Sequence, residues 1–233
     1  MDLHDRHVVV TGGTGALGTA VVGALLEHGA ICHVPYRSPA AAQEFPHRDH
    51  RGVVLKEAGN LADEAVVASL FEDVPKLWAS IHVAGGFAFG ALAQASSAEL
   101  RQQIDMNLVS CLLSCRAAVN AMARSGEGGR IVNVASRPAL EWRDGAMKVA
   151  YAAAKAGVAA LTAALAQEVV GQGILVNAVA PSIMDTPENR KAMPKADHAA
   201  WAKVEDVART ILFLASPDNR VTRGAVVPVY GQS

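Results

Sequence analysis

Residues 7–10 read His-Val-Val-Val, and the chain then enters the glycine-rich stretch Gly12-Gly13-Thr14-Gly15-Ala16-Leu17-Gly18. A β-branched run that breaks into glycines and leads straight into a helical pattern leaves few folds open. The missing Cβ atoms allow a tight turn and let the backbone approach an anion closely. The helix that follows presents free N–H groups and the positive end of its dipole at the same place. The spacing Gly13-x-Gly15-x-x-Gly18 in a strand-turn-helix context is a dinucleotide-binding fingerprint.

The rest of the chain continues the alternation. Short apolar runs at 31–34, 53–55, 78–83, 130–134, 175–179 and 226–229 predict further strands. Helical periodicity covers about 15–28, 62–71, 98–124, 147–170 and 204–214. Such alternation predicts an α/β single-domain Rossmann fold: a doubly wound parallel sheet of about seven strands with helices on both faces. No linker or repeat divides the chain, so residues 1–233 are expected to form one dinucleotide-binding catalytic domain. The polar, proline-bearing segment 182–201 follows a strand end, where open α/β sheets bind ligands, and is expected to act as a substrate lid.

Charge and cysteine content narrow the partners. A net charge of -1 without blocks of like charge argues against nucleic acid or an anionic membrane. The N-terminus runs directly into a strand and no uninterrupted apolar run approaches the ~20 residues of a membrane span, so a cytoplasmic protein is expected. The three cysteines, Cys32, Cys111 and Cys115, are an odd number, and no further Cys or His lies close in sequence to the last two. They read as buried reduced thiols, and no metal is implied.

Cofactor and chemistry follow from a handful of positions. After the second strand stands Tyr36-Arg37-Ser38 rather than an acidic residue that would hold a ribose 2′-hydroxyl. Arg37 can pair with a 2′-phosphate and Ser38 can donate to it, so NADP(H) is favoured over NAD(H). Asn60 and Leu61, after the third strand, stand where the adenine edge would lie. Tyr151 and Lys155 lie one helical turn apart, some way after Ser136. Hydride transfer to a carbonyl needs an acid for the developing alkoxide. Tyr151 is the candidate, with Lys155 and the positive nicotinamide of the oxidised cofactor lowering its pKa by the attraction of opposite charges. Ser136 would hold the carbonyl oxygen. Asn107, awkward inside a helix, would kink it and link Lys155 to solvent through a bound water.

These residues together make the chain similar to the short-chain dehydrogenase/reductase family over essentially its whole length. The matching pieces are the glycine turn, Asn107-Leu108, Ile131-Val132-Asn133 leading to Ser136, Tyr151-x-x-x-Lys155, and Val176-Asn177-Ala178-Val179-Ala180-Pro181 with Thr186. The resemblance implies cofactor contacts from Gly12, Thr14, Gly15, Ala16, Leu17, Gly18, Ala84, Gly85, Tyr151, Lys155, Pro181, Ile183 and Thr186. It also implies a homodimer or homotetramer built on the helices carrying Asn107 and Tyr151. The chain departs from the family at Ala16, at His82-Val83-Ala84-Gly85, where an Asn usually buttresses the sheet, and at Pro181-Ser182. Ser136 stands two residues farther from Tyr151 than is typical.

The stretch Asp185-Thr186-Pro187-x-Asn189-Arg190-Lys191-x-Met193-Pro194-x-Ala196-Asp197, with Val83-Ala84-Gly85-Gly86, resembles the quinonoid dihydropteridine reductase branch. That branch favours NADH and lacks the active-site Ser, unlike this chain. The expectation is an NADPH-dependent oxidoreductase of a small carbonyl or alcohol. Reduction of a C=N bond in a quinonoid dihydropteridine or imine is the alternative, and a non-catalytic NADP-binding sensor or subunit is the second. Phe87, Phe89, Trp142, Met184, Met193 and Trp201 are candidates for an apolar substrate pocket or for core.

Overall fold

In the computed structural model, which describes residues 1–232, a seven-stranded sheet runs in the order β3-β2-β1-β4-β5-β6-β9 with every pairing parallel. Its strands are β1 (His7–Thr11), β2 (Ile31–Tyr36), β3 (Val53–Glu57), β4 (Leu77–His82), β5 (Gly129–Val134), β6 (Ile174–Pro181) and β9 (Val226–Val229). Two residue pairs, β7 (Met184–Asp185) and β8 (Ala202–Lys203), form a separate parallel ribbon. The helices are α1 (Ala16–Glu27), α2 (Pro39–Gln43), α3 (Glu64–Glu72), α4 (Ser97–Ile104), α5 (Ser110–Ser125), α6 (Val149–Glu168), α7 (Pro187–Ala192) and α8 (Val204–Ala215). The chain has the expected single-domain Rossmann fold.

Apolar side chains collect in two layers, one on each face of the sheet. One layer packs α1 and α8 against Val8, Val10, Ile81, Val132 and Val179; the other packs α3, α5 and α6 against Val9, Ile131, Val176 and Ala178. The alternation along each strand sends neighbouring residues to opposite layers, which is why central strands are continuous apolar runs. Helix starts are set locally. Asp63 accepts from Ala65 N at 2.8 Å to cap α3, and Ser96 with Glu99 forms a capping box on α4.

The structure departs from the sequence expectation in three places. The helix expected over 98–124 is interrupted by a π turn, Asp105–Val109, between α4 and α5. The short α2 and the β7–β8 ribbon were not foreseen, since each is too brief to show periodicity. Finally, the helical stretch Ser97–Ser125 and α6 are each long and apolar enough, by length and composition, to cross a membrane. In the fold they pack on β4, β5 and β6 instead, and the small residues of α6 explain its high hydropathy.

Candidate active site

Reversal of strand order between β1 and β4 opens a crevice at the carboxyl ends of the strands, where ligands of such sheets bind. Two contiguous hollows fill it. One of about 390 Å³ is lined by Gly15 to Gly18, Asn107, Ser136, Tyr151, Lys155, Pro181, Met184 and Thr186. The other, of about 720 Å³, is lined by Thr14, Tyr36, Arg37, Asn60 and Leu61. Gly12, Ala84 and Gly85 border both, so they form one groove long enough for an extended two-headed ligand.

The glycines at the head of α1 are required by close approach. Gly12 has φ +70°, and a Cβ there would sit 2.6 Å from Ala84 N. A Cβ on Gly18 would lie 2.1 Å from the Gly12 carbonyl oxygen. Backbone on both sides leaves no rotamer to relieve either contact, so β1, the loop after β4 and α1 can meet only through glycine.

Asn107 lies at the centre of the π turn and is fully buried. Its Oδ1 accepts from Gly86 N at 3.1 Å, while Nδ2 donates to Gly86 O at 2.9 Å and to Gln103 O at 3.0 Å. A π turn frees a carbonyl that an α-helix would satisfy, and here the Asn side chain takes it up. The expected kink is therefore present. Its carboxamide, however, is committed to the loop after β4 rather than held open for a water, so Asn107 anchors that loop beside Lys155. The sequence offered no sign of Gly86 in this role, because its partner lies 21 residues away.

Lys155 is buried, and its ammonium donates to Val134 O at 2.7 Å. Burial lowers its pKa to about 8, with Cys111 pulling the other way. Tyr151 also sits deep in the cleft. Its pKa is raised above the ordinary phenol value by burial, with Ser136 drawing it partly back. Lys155 by itself does not lower it: the ammonium is 5.9 Å from the Tyr ring centre and already engaged with Val134, and burial of the phenol prevails. The Ser136 hydroxyl is buried and faces the same cleft beside the Tyr151 phenol. Its greater distance from Tyr151 in sequence does not keep the two apart, because the short 3₁₀ turns Arg137–Ala139 and Trp142–Gly145 take up the extra chain.

Some expected site residues lie elsewhere. Ser38 is outside the groove lining, its Oγ accepting from Ala41 N at 3.3 Å as the cap of α2. Ile183 is likewise absent from the lining; its carbonyl accepts from Ala202 N at 3.2 Å beside the β7–β8 ribbon. Thr186 lines the cleft, and its oxygen caps α7 by accepting from Asn189 N at 3.2 Å, leaving the hydroxyl proton free to donate. Of the apolar candidates, Phe87 and Met184 line the cleft, Trp201 is core, and Trp142 is 78 % exposed. Phe87 meets the Tyr151 ring edge-on, with centroids 5.2 Å apart. Arg101, Gln102 and Asp105 of the helix opposite join the lining of the larger hollow, a contribution that helical periodicity alone could not reveal. His82, which replaces the usual Asn, still ties the sheet together: its Nδ1 lies 2.8 Å from Asn133 Oδ1 on the neighbouring strand.

Comparison with known families agrees with this geometry. The family model described as short chain dehydrogenase matches residues 6–197. The chain is a short-chain dehydrogenase. This short-chain dehydrogenase is 31% identical over 245 residues to the (2S)-[(R)-hydroxy(phenyl)methyl]succinyl-CoA dehydrogenase subunit BbsD of Thauera aromatica, covering 99% of this chain and 97% of that one. It is 34% identical to the cis-4-hydroxycyclohexanecarboxylate dehydrogenase of Sinomonas cyclohexanicum over 97% of its own length and 96% of the relative's. A short-chain type dehydrogenase/reductase structure from Mycobacterium ulcerans superposes with a TM-score of 0.89 at 26% identity, covering 99% of this chain and 90% of that one. The protein is therefore an oxidoreductase, as the Tyr-Lys pair implied.

Proposed function

We propose that the protein transfers a hydride between NADP(H) and a small carbonyl or alcohol substrate, with Tyr151 as general acid or base. The observation that carries this reading is the convergence of Ser136, Tyr151 and Lys155 on one cleft. In reduction, Tyr151 gives its phenolic proton to the alkoxide that forms as the hydride arrives, and Ser136 holds the same oxygen. A raised phenol pKa keeps that proton in place at neutral pH, which suits the acid role. Bound NADPH supplies the hydride; Gly12 to Gly18 would hold its pyrophosphate, Lys155 the nicotinamide ribose, and Thr186 the carboxamide. Segment 182–201 serves as the lid, since Met184, Thr186, Glu188 and Asn189 face the cleft from it. Two of the relatives are named as dehydrogenases of hydroxy compounds, a hydroxy(phenyl)methyl succinyl-CoA and a hydroxycyclohexanecarboxylate, in keeping with an alcohol–ketone pair.

The test is NADPH oxidation against a panel of ketones, quinones, imines and quinonoid dihydropterin. Ketone turnover supports the reading. Turnover of the pterin or imine alone moves the chemistry to a C=N bond, and tight NADPH binding without turnover of any panel member favours a binding subunit. Small residues exposed along α6, such as Ala153, Ala160 and Ala164, support assembly into a dimer or tetramer through that helix.

The choice of cofactor has its own test. Arg37 borders the adenosine end of the groove. Loss of a charged hydrogen bond, about 1.5–3 kcal/mol, would raise the KM for NADPH about 10–100-fold in Arg37→Ala and leave the KM for NADH nearly unchanged. Equal changes for both cofactors would place the 2′-phosphate elsewhere.

Lys155 sets a pH dependence. With a pKa lowered to about 8, it is charged below that pH and loses its ammonium as pH rises through it. Reduction measured as kcat/KM is expected to hold up to about pH 8 and fall above it. The limb should be missing from Lys155→Met, whose low residual rate is measured over the same range.

A further inference from the structure

Beneath the cleft floor, between the sheet and α5, four side chains meet that the reaction does not use. His82 ends β4, Asn133 is its register partner on β5, and Cys111 and Cys115 stand one turn apart on α5. None is more than 5% exposed. One nitrogen of His82 and the two sulfurs all lie within 4.8 Å of one another. The sequence reading took the two cysteines as isolated because the third member lies 29 residues upstream, on a strand that only folding brings beneath them.

Read as hydrogen bonds, the cluster crowds three possible donors onto one acceptor. Asn133 Oδ1 is approached by His82 Nδ1 at 2.8 Å, by Cys111 Sγ at 3.3 Å and by Cys115 Sγ at 3.4 Å. A carbonyl oxygen has two lone pairs, so three donors cannot all be satisfied there. Cys115 Sγ is also 3.5 Å from His82 Nδ1. The outer ends of the polar groups are already occupied. Ser80 Oγ lies 2.8 Å from His82 Nε2, and Asn133 Nδ2 donates at 2.9 Å to Thr162, which donates on to Val158 O. These partners turn Nδ1 and Oδ1 inward, as outer-shell contacts do around a metal.

We propose that His82 Nδ1, Cys111 Sγ and Cys115 Sγ, with Asn133 Oδ1 as fourth donor, form a buried structural site for one Zn²⁺ ion. Zinc–sulfur bonds of about 2.3 Å and zinc–nitrogen bonds of about 2.0 Å place tetrahedral ligands roughly 3.3–3.8 Å apart. The contacts of both sulfurs with Asn133 and of Cys115 with His82 fall in that range, Cys111 lies within 4.8 Å of His82 and of Cys115, and the His–Asn pair need open only slightly. Binding releases both thiol protons to solvent, and two thiolates then neutralise the dication. Net neutrality matters in a buried site, where an uncompensated charge is costly. One helix and two strands would be tied together directly below Lys155. With four protein donors and no open position, the ion would brace the fold and take no part in hydride transfer.

The site is closed, so zinc must enter during folding. The full-length wild type is to be unfolded in chelator and reductant, then refolded with and without Zn²⁺, and its metal content and melting temperature measured. The expected result is about one zinc per chain that resists chelator until the chain unfolds, with a higher melting temperature than the zinc-free protein. Refolding with Co²⁺ should give thiolate-to-metal absorption that is missing from Cys111→Ser/Cys115→Ser. Should that variant fail to fold, the wild-type comparison decides alone. Wild type that refolds to the same melting temperature with and without Zn²⁺, and retains none, overturns the site and leaves a cluster of thiols.

Discussion

Replacing Tyr151 with Phe is expected to lower kcat for carbonyl reduction by about 10²–10⁴-fold, the usual contribution of a positioned general acid. The substitution deletes one oxygen and keeps the ring. The edge-on contact with Phe87 survives, as does the helical geometry that carries Lys155. NADPH affinity and melting temperature should therefore stay close to wild type, which separates loss of chemistry from loss of structure. Turnover, cofactor titration and thermal unfolding of the two proteins check it. A variant with unimpaired kcat would remove Tyr151 from the acid role and leave Ser136 or a water to supply the proton.

The second large effect is expected at Gly18→Ala. The new methyl carbon would meet the Gly12 carbonyl oxygen at 2.1 Å and Gly13 Cα at 2.6 Å. Neither neighbour can rotate away, so the turn must open or α1 must move off the sheet. Overpacking of this kind costs about 1–3 kcal/mol or more. The displaced helix N-terminus also loses its aim at the pyrophosphate, so NADPH affinity should fall by more than about tenfold. Isothermal titration and thermal unfolding measure both consequences. Gly171→Ala is the control, since a Cβ there meets nothing within 4 Å. Unchanged NADPH binding in Gly18→Ala would mean that the turn does not hold the pyrophosphate.

Both variants concern residues whose roles could be argued before any coordinates. The Tyr151–Lys155 spacing is one helical turn, so the two must share a face wherever that helix lies. The glycine turn needs only its own backbone and the strand and helix beside it. Strand and helix order likewise came from periodicities of two and 3.6 residues, which are local properties of the chain. Together with the preference of parallel strands for helical cover, they determined the doubly wound sheet and the side of it on which ligands bind. Elements of two to five residues, such as α2 and the β7–β8 ribbon, were invisible because none completes two periods of the signal.

What the tertiary structure alone decided are relations between residues far apart in the chain. Asn107 finds Gly86 and Gln103 through a π turn, and these partners no pattern announced. Ser38 Oγ caps α2 and the Ile183 carbonyl accepts from Ala202 beside the β7–β8 ribbon, contacts that the sequence did not show. The environment of Tyr151 depends on how deeply it is buried, and burial outweighs the charge one turn away. His82 meets Cys111 and Cys115 only because β4 lies beside β5 under α5. Periodicity and turn chemistry act over a few bonds and are written in the sequence; solvation and the meeting of distant side chains exist only once the sheet has formed.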